Sequence, residues 1–118
     1  MSIGYSQSRS EVADVATDGS NDRVTVELVE KYLDLTARAK EKATPIPTSE
    51  GGDTDATRLA DMMRMCDDYA ADARHFMETG DLVRAFGAIN YAHAWLDAAV
   101  RIGLLDGHGD DQLFTLPP

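Results

Sequence analysis

The stretch ETGDLVRA, residues 78–85, constrains this chain more than any other. Gly80 can take the left-handed conformation that closes a helix. Asp81 can cap the next helix at once. One helical pattern runs up to this joint and another leaves it, so a connection this short predicts an antiparallel helical hairpin. Before the joint, from about Thr54 to Thr79, Leu59, Met62, Met63, Cys66, Tyr69, Ala70, Ala73, Phe76 and Met77 share one face. Asp61, Arg64, Asp68, Asp72 and His75 share the opposite face. That division predicts a helix buried on one side and wet on the other.

The helix after the joint, from about Leu82 to Ile102, has a different character. Leu82, Phe86, Ile89, His93, Leu96 and Val100 form one stripe, while Tyr91, Trp95, Ala98 and Ile102 form another on nearly the opposite side. A helix apolar on two sides is expected to be covered on two sides. The preceding helix supplies one cover. The other is the first helix, the C-terminal LFTLPP, or a second copy of the chain.

A third helical pattern lies earlier, from about Arg23 to Lys42, with Asp22 as its expected cap. Val24, Leu28, Tyr32, Leu35 and Ala39 recur at steps of three and four. Glu27–Lys31 and Asp34–Arg38 stand in the favourable acid-first order for ion pairs on a solvated face. Residues 1–22 hold few large apolar groups and are expected to be disordered. Residues 43–53, ATPIPTSEGGD, read as a linker between helices. The expected fold class is therefore all-α: a small antiparallel three-helix bundle over residues 23–105, built on the tight hairpin, followed by a tail over 106–118. A core this small is marginal alone, and an oligomer or a packed tail would support it.

The net charge of −10, with only three lysines and abundant aspartate and alanine, fits a protein of a salt-accumulating cytoplasm, such as that of a haloarchaeon. Dense carboxylates hold hydration, and salt screens their mutual repulsion. No Lys/Arg cluster offers a phosphate footprint, so neither nucleic acid nor an anionic membrane is an expected partner. No segment is apolar over the length of a membrane span, and the N-terminus lacks a basic start followed by an apolar run, which places the expected location in the cytoplasm. Cys66 is the single cysteine and lies inside an apolar pattern, where it reads as a small buried hydrophobe.

Two fragments invite a metal. DARH sets Asp72 and His75 at i,i+3, and NYAHAWLD sets Asn90, His93 and Asp97 at i,i+3,i+7. If both helices pack by their apolar stripes, however, the two histidines point away from each other, and the ligand set is short. Asp72 and His75 then belong to a wet face. His93 is a core histidine hydrogen-bonded to a neighbour such as Tyr69 or to a backbone carbonyl. Asn90, Asp97 and Arg101 flank its stripe, with Asp97 and Arg101 able to pair at i,i+4. No phosphate-binding glycine loop and no serine elbow is present. Tyr91 and Trp95 come without interleaved cations, so they read as packing or association surface rather than as a platform for bases.

From Tyr69 to Leu105, YAADARHFMETGDLVRAFGAINYAHAWLDAAVRIGLL resembles the archaeal domain-of-unknown-function 357 family. The residues that carry the likeness are Tyr69, Asp72, Phe76, Gly80, Asp81, Tyr91, Ala92, Leu96, Asp97 and Ala98. The resemblance implies a short helical archaeal protein and supplies no activity. It marks Asp72 and Asp97 as the family's carboxylates, so Asp72 could cap or brace a neighbouring chain. The chain also shares a superficial likeness with nucleotidyltransferase-associated helical domains, whose ribonucleases carry an arginine followed by four to six residues and then a histidine. His75 follows Arg74 directly and His93 lies too far from Arg84, so a nuclease is not expected.

The sequence thus predicts a non-enzymatic helical interaction or scaffold module that self-associates through Tyr91, Trp95, Ala98 and Ile102, with no catalytic residues, no metal and no cofactor. Its expected partner is another copy or another protein. The alternative is a metal- or ligand-binding bundle using Asp72, His75, His93 and Asp97.

Overall fold

The computed structural model describes residues 21–47 and 52–118. Most of the head that sequence marks as disordered, and the middle of the 43–53 linker, lie outside the described residues. The elements are α1 (Val26–Lys42), β1 (Thr44–Pro45), α2 (Gly52–Glu78), α3 (Leu82–Arg101) and β2 (Leu105–Asp106). The all-α class holds: α3 is the central helix, α2 runs antiparallel to it, and α1 lies along its other side.

The hairpin joint forms as its residues dictate. Gly80 has φ +85°, the Gly80 amide donates to Met77 O at 3.2 Å, and the Asp81 amide donates to Phe76 O at 2.8 Å. These two bonds satisfy the last carbonyls of α2 and define a Schellman ending. One residue on, the Asp81 carboxylate accepts the Arg84 amide at 3.1 Å and opens α3. The same ending recurs at Gly103, also at φ +85°, where the Leu104 amide donates to Ala99 O at 2.9 Å. Helix α1 starts later than expected. Its cap is Thr25 rather than Asp22, because the extended Thr25 places its hydroxyl 3.1 Å from the Leu28 amide.

The core differs from the two-stripe expectation. On α3 the fully buried residues are Ala85, Ile89, Ala92, Leu96, Ala99 and Val100. The buried arc is thus centred beside the first stripe, along Ala85, Ala92 and Ala99, which stand seven residues apart. Facing them, α2 buries Cys66, Ala70 and Ala73. Small side chains on both helices let them close together, since interaxial distance follows the size of the contact residues. The second stripe is consequently covered only in part. Trp95 is half-buried, whereas Tyr91 remains 49% exposed and Ile102 64% exposed.

Helix α1 buries Val29, Thr36 and Ala39 and leans Tyr32, Leu33 and Leu35 on the same core. Tyr32 meets Phe86 edge-on at 5.4 Å, and Thr36 meets His93 at 3.0 Å, so α1 and α3 run in the same direction. Asp34 and Arg38 pair at 2.9 Å as expected, while Lys31 lies over the Tyr32 ring. Beyond α1 the linker is ordered in part: Thr44 pairs antiparallel with Asp106, and Pro45 with Leu105. This clip, a Lys42–Asp110 ion pair at 3.1 Å and a Thr44–His108 hydrogen bond at 2.9 Å tie the end of α1 to the chain after α3. The tail then turns back, burying Leu113 and Phe114. Burying a side chain of that size contributes about 1.5–3 kcal/mol.

Candidate functional site

The returning tail creates a concavity against α1 and α3. An open cleft of about 270 Å³ is lined by Tyr32 and Leu35 of α1, by Asn90, His93, Ala94 and Asp97 of α3, and by Asp111 to Thr115 of the tail. The i,i+3,i+7 trio therefore does line a single wall. Each member, however, already holds a partner.

His93 is the hinge of the arrangement. Its Nε2 lies 2.7 Å from Leu113 O, and a carbonyl can only accept, so this nitrogen carries the proton. In the neutral ring Nδ1 is then left to accept from the Thr36 hydroxyl at 3.0 Å. The imidazole thus joins α1, α3 and the tail. The backbone-carbonyl partner expected for a core histidine is present, whereas Tyr69 is not the other one. Tyr69 instead meets Tyr91 edge-on at 4.5 Å. Asp97 does not take Arg101 as its partner. Its carboxylate accepts the Thr115 amide at 2.8 Å and faces the Thr115 hydroxyl at 3.4 Å. Arg101 donates to Leu116 O at 3.4 Å. Because the tail supplies backbone groups on this side, side chains that could have paired along the helix bind the tail. Asn90, at the cleft mouth, turns its amide back to Phe86 O at 2.9 Å.

His93 and Asp97 approach to 3.9 Å. Asp72 and His75 stand elsewhere, exposed on α2, and His75 tilts against Phe76 at 5.9 Å. The four residues of the metal-binding alternative are therefore split between two places. Among the described residues, no group of three His, Cys, Asp or Glu side chains is arranged to hold a metal ion. Cys66 is buried, and burial pushes its thiol up to about 11, opposed by the Lys40 ammonium and aided by the Asp67 carboxylate. A thiol held neutral in this way is a packing group.

Arg101 and His108 do stand with six residues between them, a pair overlooked when only His75 and His93 are weighed. Both hold the tail and its clip: Arg101 through Leu116 O, and His108 through Thr44 and an Asp106 carboxylate 3.8 Å away.

The outer side of α3 has a different chemistry. Val83 is 73% exposed, and with Tyr91 and Ile102 it makes up three of the four exposed large apolar residues among those described. Gly87 and Ala94 lie exposed between them, and Ala98 is half-buried. Tyr91 bridges inward, edge-on to Tyr69 and, at 6.2 Å, to Trp95. Trp95 packs against the core, its indole N–H enclosed and without a hydrogen-bond partner among the described residues. Of the expected surface residues, Tyr91 and Ile102 are exposed, whereas Trp95 and Ala98 are half-buried. Val83 was missed because it precedes the aromatic stretch.

A hairpin with a third helix docked along one side and a returning tail defines a small all-α bundle protein. The model of a family described as a protein of unknown function (DUF357) matches residues 31–105, from α1 to β2, and the chain belongs to that family. No curated protein and no solved structure matches the chain. No helix among the described residues is long and apolar enough to cross a membrane.

Proposed function

We propose that this protein is a non-enzymatic helical interaction module that self-associates, or docks a protein partner, through the outer side of α3, in the salt-rich cytoplasm of an archaeon. The observation that carries it is the exposure of Val83, Tyr91 and Ile102 on one helix of a chain with net charge −10. A row of exposed apolar side chains along one helix, on an otherwise charged small protein, supports a contact site. The hairpin, the α1 dock and the tail supply a rigid backing for it. Sedimentation equilibrium of the full chain in molar KCl tests the proposal. The wild type should associate in a concentration-dependent way, and Tyr91→Ser with Ile102→Ser should remain monomeric at unchanged helicity. A wild type that stays monomeric and captures no protein partner through these residues would refute it.

A second reading has one observation in its favour, the convergence of Asn90, His93 and Asp97 on the cleft. It is a small-ligand or metal site there, without Asp72 and His75. Elemental analysis of protein purified without chelator discriminates: stoichiometric metal that is lost in His93→Ala would promote this reading over the first.

A further inference from the structure

The exposed side of α3 is built as a spacing palindrome. Val83, Gly87, Tyr91, Ala94, Ala98 and Ile102 follow one another at steps of four, four, three, four and four residues. Read from either end, the steps are the same. A second α3 laid antiparallel about the middle of this row sets Tyr91 against Ala94, Gly87 against Ala98, and Val83 at the level of Ile102. The sizes match as well as the steps: the one bulky ring meets an alanine in each direction, and a glycine meets an alanine at the next level. Self-complementarity of this kind is what a two-fold interface requires, because the same patch must fit itself. We infer that two copies of this chain pair through α3 in an antiparallel, isologous register centred between Tyr91 and Ala94. The inference rests on the self-association proposed above and specifies its geometry.

Charge supports a second copy as the occupant. Two chains of net charge −10 repel, and they can approach best where carboxylates are missing. Helix α3 carries one carboxylate, Asp97, and it is turned to the tail. Beside the exposed row stand Arg84, which pairs with the capping Asp81 at 3.5 Å, and Arg101, which donates to Leu116 O, both still exposed. Tyr32 lies against Phe86 and Tyr69 against Tyr91, which fixes the levels of α1 and α2 along α3. In the antiparallel pair, Arg101 comes level with the acidic start of the other copy's α1, at Glu27 and Glu30. Arg84 comes level with the start of its α2, at Asp55 and Asp61, which within one chain pair with Arg58 and Arg64. A parallel pair would set like ends beside like ends and lose this match. A single helix pair is a small interface beside the roughly 1,200–2,000 Å² of stable complexes, so the dimer is expected to be concentration-dependent and favoured by screening salt.

The register is tested with Gly87→Cys/Ala98→Cys in the otherwise unaltered full chain. A Cβ at Gly87 meets nothing within 4 Å, so the site accepts cysteine. The two positions lie about 16 Å apart along one helix, too far for a disulfide within a chain, so any cross-link between them joins two copies. Mild oxidation in molar KCl should convert the double variant to a covalent dimer, while Gly87→Cys alone, Ala98→Cys alone and the wild type, with its buried Cys66, remain uncross-linked. Ala94→Arg should abolish the dimer in sedimentation with the circular dichroism unchanged. A wild-type dimer whose single-cysteine variants cross-link as well as the double, or which tolerates Ala94→Arg, overturns the register and leaves self-association standing. A wild type that is monomeric at every concentration overturns the register and self-association alike.

Discussion

His93 offers the sharpest test of how the bundle is held. Replacing it with alanine removes two hydrogen bonds, one from each ring nitrogen. Each is worth about 0.5–1.5 kcal/mol net. It also strands the Thr36 hydroxyl, on a residue only 2% exposed, and a buried unsatisfied donor costs about 1–3 kcal/mol. Some of that cost is relieved as water enters the open cleft, so His93→Ala should destabilise by about 2–4 kcal/mol. That is a large part of the 5–15 kcal/mol typical of a folded domain. Thr36→Val alone should leave Nδ1 without its donor and cost about 1–2 kcal/mol. Once His93 is gone, the same change removes the stranded hydroxyl and should be nearly neutral. The double-mutant cycle should therefore show a coupling of about 1 kcal/mol or more. The assay is urea unfolding in molar KCl, followed by circular dichroism, with hydrogen exchange at the Thr115 amide as a local reporter of the tail. Strict additivity of the two substitutions, or a loss below about 0.5 kcal/mol with tail exchange unaltered, would refute the claim that this imidazole ties α1 to the tail.

Three further outcomes are expected. A Cβ at Gly107 would stand 2.9 Å from Phe114 Cδ2 and 3.3 Å from Leu116 Cδ2, so Gly107→Ala should lift the tail and cost about 1–3 kcal/mol. A urea midpoint equal to that of the wild type would show that the tail absorbs the methyl group freely. Cys66 should resist iodoacetamide at mildly alkaline pH while the protein is folded, because burial holds its thiol up at about 11; rapid stoichiometric alkylation without unfolding would contradict its place in the core. The Lys42 hydrogen bond, aided by the Leu113 and Gln112 amides, holds the Asp110 carboxyl below its ordinary value of 3.8. Stability from this contact is complete above that value and is lost as pH falls through the lowered one. Asp110→Asn should therefore flatten the acid limb of the stability curve, an effect muted by salt because the pair lies at the surface with Lys42 exposed. An unchanged acid limb at low salt would remove Asp110 from the clip.

How much was written in the sequence follows from how local each interaction is. The hairpin was legible because Gly80 and Asp81 act within a few residues: one supplies the left-handed turn, the other an oxygen for the Arg84 amide. The buried and wet faces of α2 were legible because helical periodicity fixes them whatever the partner is. The position of the α3 core was not, since an alanine carries no mark of burial. The row of Ala85, Ala92 and Ala99 became the centre because α2 turns its own small buried residues, Cys66, Ala70 and Ala73, toward α3, a fact of two helices rather than of one.

The candidate site divides in the same way. Sequence placed Asn90, His93 and Asp97 together on α3, and they do line one cleft. It could not foresee what would occupy them, because Thr36 is 57 residues away from His93 and Leu113 is 20 residues away. Hydrogen bonds across such separations depend on where the chain returns. The return itself was decided by the Thr44–Asp106 clip, formed from segments that sequence alone reads as linker and tail. Local rules thus determined which helices exist and where they turn. The tertiary structure decided which polar groups are used up in holding them and which apolar face of α3 remains free, because both depend on surfaces meeting at distances along the chain that no local pattern encodes.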